Sequence, residues 1–235
     1  IGFVLDSETS TTRLQEKLPT SSEPLPLVAP AIVLSLNDKT LFREGLSDVF
    51  ALSDKLLSVI REIDEDAIPS EYRIPDPEEQ DTPDGSVWSF TLPESGLDEQ
   101  IQLSIGVGKE AAVFSLVPEQ AKRLLKSTPL SLEGDLSMNL AGAAVLDWVA
   151  FANVLEPWVT YVARCGGVME GRSELPADET VGPDNDTDEV KEALEQLVTI
   201  FDVVRCLKSA TAKTVLEGDA TVTRWQNRIE DLPAQ

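Results

Sequence analysis

The sequence predicts an α+β protein, an antiparallel sheet with long helices packed on one face, and three observations lead there. Apolar residues recur at three- and four-residue steps through 41–63 and again through 143–164. Short β-branched or alternating runs surround them at 31–36, 87–92, 100–116 and 210–226. The stretch Leu52-Ser53-Asp54-Lys55-Leu56-Leu57-Ser58-Val59-Ile60-Arg61 also lies over Leu155-Glu156-Pro157-Trp158-Val159-Thr160-Tyr161-Val162-Ala163-Arg164 at a constant offset. That offset predicts two related halves, 1–130 and 131–235, each a strand, a long helix and a meander, either as two domains or as one continuous one.

Taken in order, Gly2–Leu5 is a short apolar run of the edge-strand kind, and the Ser, Thr and Pro of Ser7–Pro30 read as a connecting loop with a short helical stretch at Thr12–Leu18. Ala31–Leu36 is a nearly unbroken apolar strand. Asn37-Asp38 supplies cap chemistry for a long amphipathic helix over Leu41–Ile63. Residues 64–85 hold four prolines and many acids, which reads as a solvated acidic loop that includes Glu65, Asp76, Glu78, Glu79, Asp81 and Asp84. Val87–Leu92 alternates as a strand, and Gln100–Val107 with Ala111–Leu116 forms a hairpin around Gly108-Lys109-Glu110. Pro118 suits a helix N-terminus, ahead of a short helix ending in basic residues. The second half repeats the plan: a strand at Leu136–Leu140, a helix over Ala143–Arg164, a capped helix over Asp188–Cys206, and a hairpin turning on Glu217-Gly218-Asp219.

Composition narrows function. The 235 residues carry 42 acids, 19 bases and no histidine, a net charge of -23. Such a surface opposes phosphate binding, so no nucleic-acid partner is expected. Without imidazole, Ser-His and Cys-His pairs and histidine-ligated zinc sites are excluded. The chain opens on Ile1-Gly2-Phe3-Val4-Leu5-Asp6, with no initiator methionine and no basic and apolar leader, which predicts a processed or excised chain. Two readings stay open for Cys165 and Cys206, a disulfide closing a loop of about 40 residues or two free thiols behaving as small hydrophobes.

Three stretches invite a site. Asp184, Asp186 and Asp188 place carboxylates at alternate positions, with Glu195 further on as a calcium loop of EF-hand type would have it. Glu189 stands where that loop needs its turn glycine and no helix precedes it, so the competing reading has Asp186 or Asp188 capping the helix that follows. Calcium is thus the one cofactor the sequence raises. Ala143–Ala163 approaches the ~20 residues of a membrane span. Asp147, Asn153, Glu156 and Pro157 argue instead for a helix buried in the protein, with Trp148 and Trp158 at its core or rim and partner binding through an exposed part as a second reading. Gly106-Val107-Gly108-Lys109 lies between strands and lacks the phosphate-loop spacing, so it reads as a turn.

Gly96-Leu97-Asp98-Glu99-Gln100, the hairpin after it, and Ala112-Val113-Phe114-Ser115-Leu116-Val117-Pro118-Glu119-Gln120-Ala121-Lys122-Arg123-Leu124-Leu125 together resemble a segment of exported bacterial proteins of the domain-of-unknown-function type, built of strand-helix-meander repeats. Leu140-Ala141-Gly142-Ala143 and Asp147-Trp148 share the likeness. The resemblance implies a secreted, periplasmic or envelope location and a non-catalytic repeat, and it carries over no catalytic residues. The expectation is therefore a binding or scaffold module for a protein or envelope partner. Its alternatives are calcium-dependent adhesion or assembly through 184–195, and a hydrolase using two converging carboxylates.

Overall fold

The structure is a computed structural model, and it describes residues 1–63, 75–91, 95–126, 140–168, 180–183, 186–217 and 220–229. In chain order the elements are β1 (Gly2–Asp6), β2 (Ser10–Thr11), β3 (Thr20–Ser21), β4 (Leu25–Pro26), β5 (Ala29–Ser35), α1 (Lys39–Ile63), β6 (Glu78–Thr82), β7 (Gly85–Phe90), β8 (Leu103–Gly108), β9 (Ala111–Ser115), α2 (Pro118–Leu125), β10 (Leu140–Asp147), α3 (Trp148–Val168), β11 (Thr180–Val181), α4 (Asp188–Cys206), β12 (Leu207–Glu217) and β13 (Ala220–Ile229). Helices and antiparallel sheets occur in similar measure, which makes the fold α+β. The chain divides into two compact units, Ile1–Asp6 with Val28–Thr128, and Ser7–Leu27 with Pro129–Gln235.

The first unit is a six-stranded antiparallel sheet in the order β1-β5-β9-β8-β7-β6. Helix α1 carries the chain from β5 to the far edge, and the meander β6 to β9 returns it beside β5. Side chains alternate between faces along each strand. Ala31, Val87 and Val113 therefore meet Ala121 and Leu125 of α2, while Phe90, Ile105 and Val107 meet Phe42, Leu46 and Phe50 of α1. The long helix covers one face, and the short helix α2 covers the other. Gly106 permits that second contact, since a Cβ there would stand 3.1 Å from Leu125 Cδ1. Gln120, fully buried on α2, accepts from Ser115 Oγ at 2.5 Å and donates to the Ala29 carbonyl at 2.7 Å, so its burial leaves neither end of its amide unpaired.

The second unit holds a three-stranded sheet in the order β10-β12-β13, with α3 and α4 packed together. Ser7–Leu27 belongs to it. Rather than a plain loop, this segment forms β2 paired with β4 and β3 paired in parallel with β11, and Thr12–Leu18 contains a turn in place of the expected helical stretch. Side chains of α3 hold it by its carbonyls: Trp158 Nε1 donates to Pro26 O and Tyr161 Oη to Pro19 O, each at 2.7 Å. Leu25, Tyr161, Cys165 and Val181 form the core beneath, with Trp158 packed against it.

Several expectations need correction. Ala143–Asp147 is strand, not helix, because Ala143, Ala144, Val145, Leu146 and Asp147 ladder with Lys213, Ala212, Thr211, Ala210 and Ser209 of β12. The helix starts at Trp148, where Asp147 Oδ1 accepts from the Ala150 amide at 2.9 Å. Glu78–Thr82 is an edge strand rather than loop, paired with β7 through a turn in which Gly85 has φ 156°. Residues 136–139 of the expected strand lie outside the described residues. Cys165 and Cys206 are both free thiols. No described helix is long and apolar enough to cross a membrane.

Candidate functional site

Helix α1 carries a row of exposed large apolar side chains along its length. Asp38 starts it, its Oδ1 accepting from the Thr40 and Leu41 amides at 2.8 and 3.0 Å. At about 100° per residue, Phe42, Leu46, Phe50, Leu57 and Ile60 share one side. Phe42 meets Phe114 edge-on at 6.4 Å between ring centroids and Phe50 meets Phe90 at 5.3 Å, which fixes that side against the sheet. Leu41, Val49, Leu52, Val59 and Ile63 fall on an adjoining stripe, 47–82 % exposed. The apolar arc thus covers about half the helix circumference, wider than the stripe of roughly 100° that a core-facing helix typically needs.

Charges frame the stripe. Glu44, Asp48, Lys55 and Glu62 line its outer flank and are exposed, an excess of acid over base. On the sheet side the Arg43 guanidinium lies 4.9 Å from the Trp88 ring centroid and reaches Glu79 at 3.1 Å. The arginine caps an aromatic while its charge is balanced by a neighbour, a stacked arrangement that lysine would not reproduce.

The residues raised for calcium meet different partners. Both oxygens of Asp186, whose side chain is 7 % exposed, accept from Arg164 Nε at 3.1 and 3.4 Å, and Arg164 also reaches Glu23 at 3.5 Å. A guanidinium thus stands against the carboxylate where a calcium ion would have to bind. Asp188 lies in the first turn of α4 beside Lys191 at 3.8 Å, and Glu195 is exposed about two turns further on. Asp184 lies outside the described residues. Among the described residues no three His, Cys, Asp or Glu side chains gather in a form that could hold a metal. The cap of α4 is neither Asp186 nor Asp188 but Thr187, which accepts from the Val190 amide.

Two buried groups in the second unit have shifted acidities. Burial, with the contact to Cys165, raises Tyr161 well above the ordinary phenol value, and burial raises Cys165 above the ordinary thiol value. Both stay protonated at neutral pH, so Cys165 sits as a packing thiol without the thiolate character a nucleophile needs. Arg205 bridges α4 to α3 through Glu156 and Asn153, and its hydrogen bond to Glu156 raises its pKa further.

The class these features define is an α+β protein of two units with an uncovered amphipathic helix face. No protein-family model matches the chain, and comparison with curated proteins and with solved structures gives no match either.

The uncovered stripe escapes a reading that counts apolar positions without measuring their angular spread. Eleven such positions in 41–63 already span more arc than one contact uses, and that spread was the available signal.

Proposed function

We propose that this protein is a non-catalytic binding or scaffold module that engages a protein partner through the uncovered stripe of α1. The observation that carries this reading is the row Leu41, Val49, Leu52, Val59 and Ile63, held in water along one helix face. Each large apolar side chain left exposed forgoes about 1.5–3 kcal/mol of burial. Contiguous apolar rows of that kind mark interaction surfaces in soluble proteins. The acidic excess of Glu44, Asp48 and Glu62 over Lys55 selects a partner whose apolar face has basic flanks, of which an amphipathic helix is the natural form. A secreted or envelope location is part of the proposal, supported by the sequence resemblance to exported bacterial proteins.

The probe is a synthetic amphipathic helix of leucine and lysine, titrated by calorimetry. Saturable binding is expected, lost when Leu52→Asp and Val59→Asp are combined and absent for a peptide of the same composition with its apolar pattern scrambled. Equal binding of both peptides, or binding untouched by the double substitution, overturns the reading.

A further inference from the structure

We infer that the partner's helix is a basic amphipathic one and lies alongside α1 in a groove of the first unit, floored by β1 and β5 and walled by α1. The inference rests on the α1 reading and extends it onto the sheet. Val4 of β1 and Val33 of β5 pack with the cluster beneath α2, so alternation turns Phe3, Leu5 and Ile32 to the opposite face, the one α1 lies on. Phe3 pairs with Ile32 and Ile32 with Phe114, the ring that Phe42 of α1 meets. The cover ends there. One strand beyond Phe114, Ile32 is 46 % exposed, and on the edge strand Phe3 and Leu5 are 66 and 58 % exposed. The wall stands beside this floor. Arg43 leaves α1 toward β7 and β6, where it meets Trp88 and Glu79. At about 100° per residue, Leu41, Val49 and Leu52 leave the opposite flank, on the side of β5 and β1. Floor and wall therefore form one apolar surface.

Width selects the form of the occupant. From β9 to β1 is two strand spacings, about 10 Å, and neighbouring packed helices stand about 8–10 Å apart, so the floor takes one helix beside α1. Charge selects its sequence. Glu44, Asp48 and Glu62 are exposed just beyond the stripe, and none of the three takes part in an ion pair among the described residues. A helix in the groove brings its own solvent flank next to them, where lysine or arginine is attracted and acid repelled. A second copy would bring a second set of these acids, in a chain of net charge -23, which disfavours α1 of another copy as the occupant.

The leucine-lysine helix tests this when it carries a benzophenone group on its apolar face. Photo-crosslinks mapped by mass spectrometry are expected both in 39–63 and in the strands 2–6 or 29–35 of the unaltered chain. In calorimetry, combined Phe3→Asp and Leu5→Asp should weaken binding about tenfold or more, and so should glutamate in place of the peptide's lysines. The crosslinks are read without any substitution, so they stand apart from a loss of folding in the variant. Crosslinks confined to 39–63, affinity unchanged by the strand variant, or equal binding of the glutamate helix each overturn the groove and leave the α1 reading standing. A wild-type chain that binds no leucine-lysine helix removes both. A wild-type dimer in sedimentation velocity that the strand variant abolishes puts a second copy in the groove and overturns the inference as well.

Discussion

In the first unit β8 is buried from Ser104 to Gly108, five residues in succession, whereas in the second unit β13 is exposed at nine of its ten positions. The contrast follows from what lies on each sheet. Helices α1 and α2 cover both faces of β8, so neither parity of its alternation meets water. β13 ends a three-stranded sheet, and the helices of its unit approach β10 and β12 instead. Burial along a strand therefore reports how many of its faces and edges are covered, and the two units draw their stability from different places. The first rests on apolar layers above and below a sheet. The second rests on a buried cluster around Tyr161 and on the polar contacts that fasten Ser7–Leu27 to α3.

Substitutions at the two extremes break this contrast open. Gly85→Ala should have the largest effect: its Cβ would stand 2.3 Å from the Val107 carbonyl oxygen, at a φ that L side chains rarely adopt. A loss of about 3 kcal/mol or more is expected, read as a fall in urea midpoint, with hydrogen exchange accelerating in peptides of the first unit. Alkaline pH should act on the second unit. Tyr161 and Cys165 have raised pKa values in the folded state, so it holds their protons more tightly than the unfolded chain does. Their contribution is complete below the ordinary thiol and phenol values, about 8.5 and 10, and is lost as pH rises through and beyond them. Exchange in 148–168 should accelerate there before exchange in β8, and a Tyr161→Phe chain should show a weaker dependence. Trp225→Ala should have the smallest effect, within about 0.5 kcal/mol, because that ring is 73 % exposed on β13. A loss of several kcal/mol on thermal melting would mean that β13 is covered.

What the sequence makes legible follows the range of the interactions involved. α1 and α4 are readable because the 3.6-residue period and their starts are local, with Asp38 at one and the Thr187-Asp188-Glu189 run at the other. Ala143–Asp147 is not, since a short run of alanine, valine and leucine suits strand and helix alike until β12 arrives from more than sixty residues away to pair with it. β6 lacks apolar alternation because neither of its faces is buried, and only the Pro83-Asp84-Gly85 turn hints at it. Likewise Asp186 looks like a metal ligand by spacing, and what occupies it is Arg164, twenty-two residues earlier in the chain. Ser7–Leu27 has its place decided by Trp158 and Tyr161, which no window of local sequence contains.

The assignment of Ser7–Leu27 to the second unit means that the chain passes between the units three times, after Asp6, after Leu27 and after Thr128. A protease that cuts once near Thr128 produces two fragments on a denaturing gel but one particle in native buffer. The amino-terminal fragment still carries the twenty-one residues that the carboxy-terminal fragment folds around. For the same reason a gene fragment beginning at Pro129 encodes an incomplete body, and an expressible second unit is a circularly permuted one with Ser7–Leu27 joined to it through a linker.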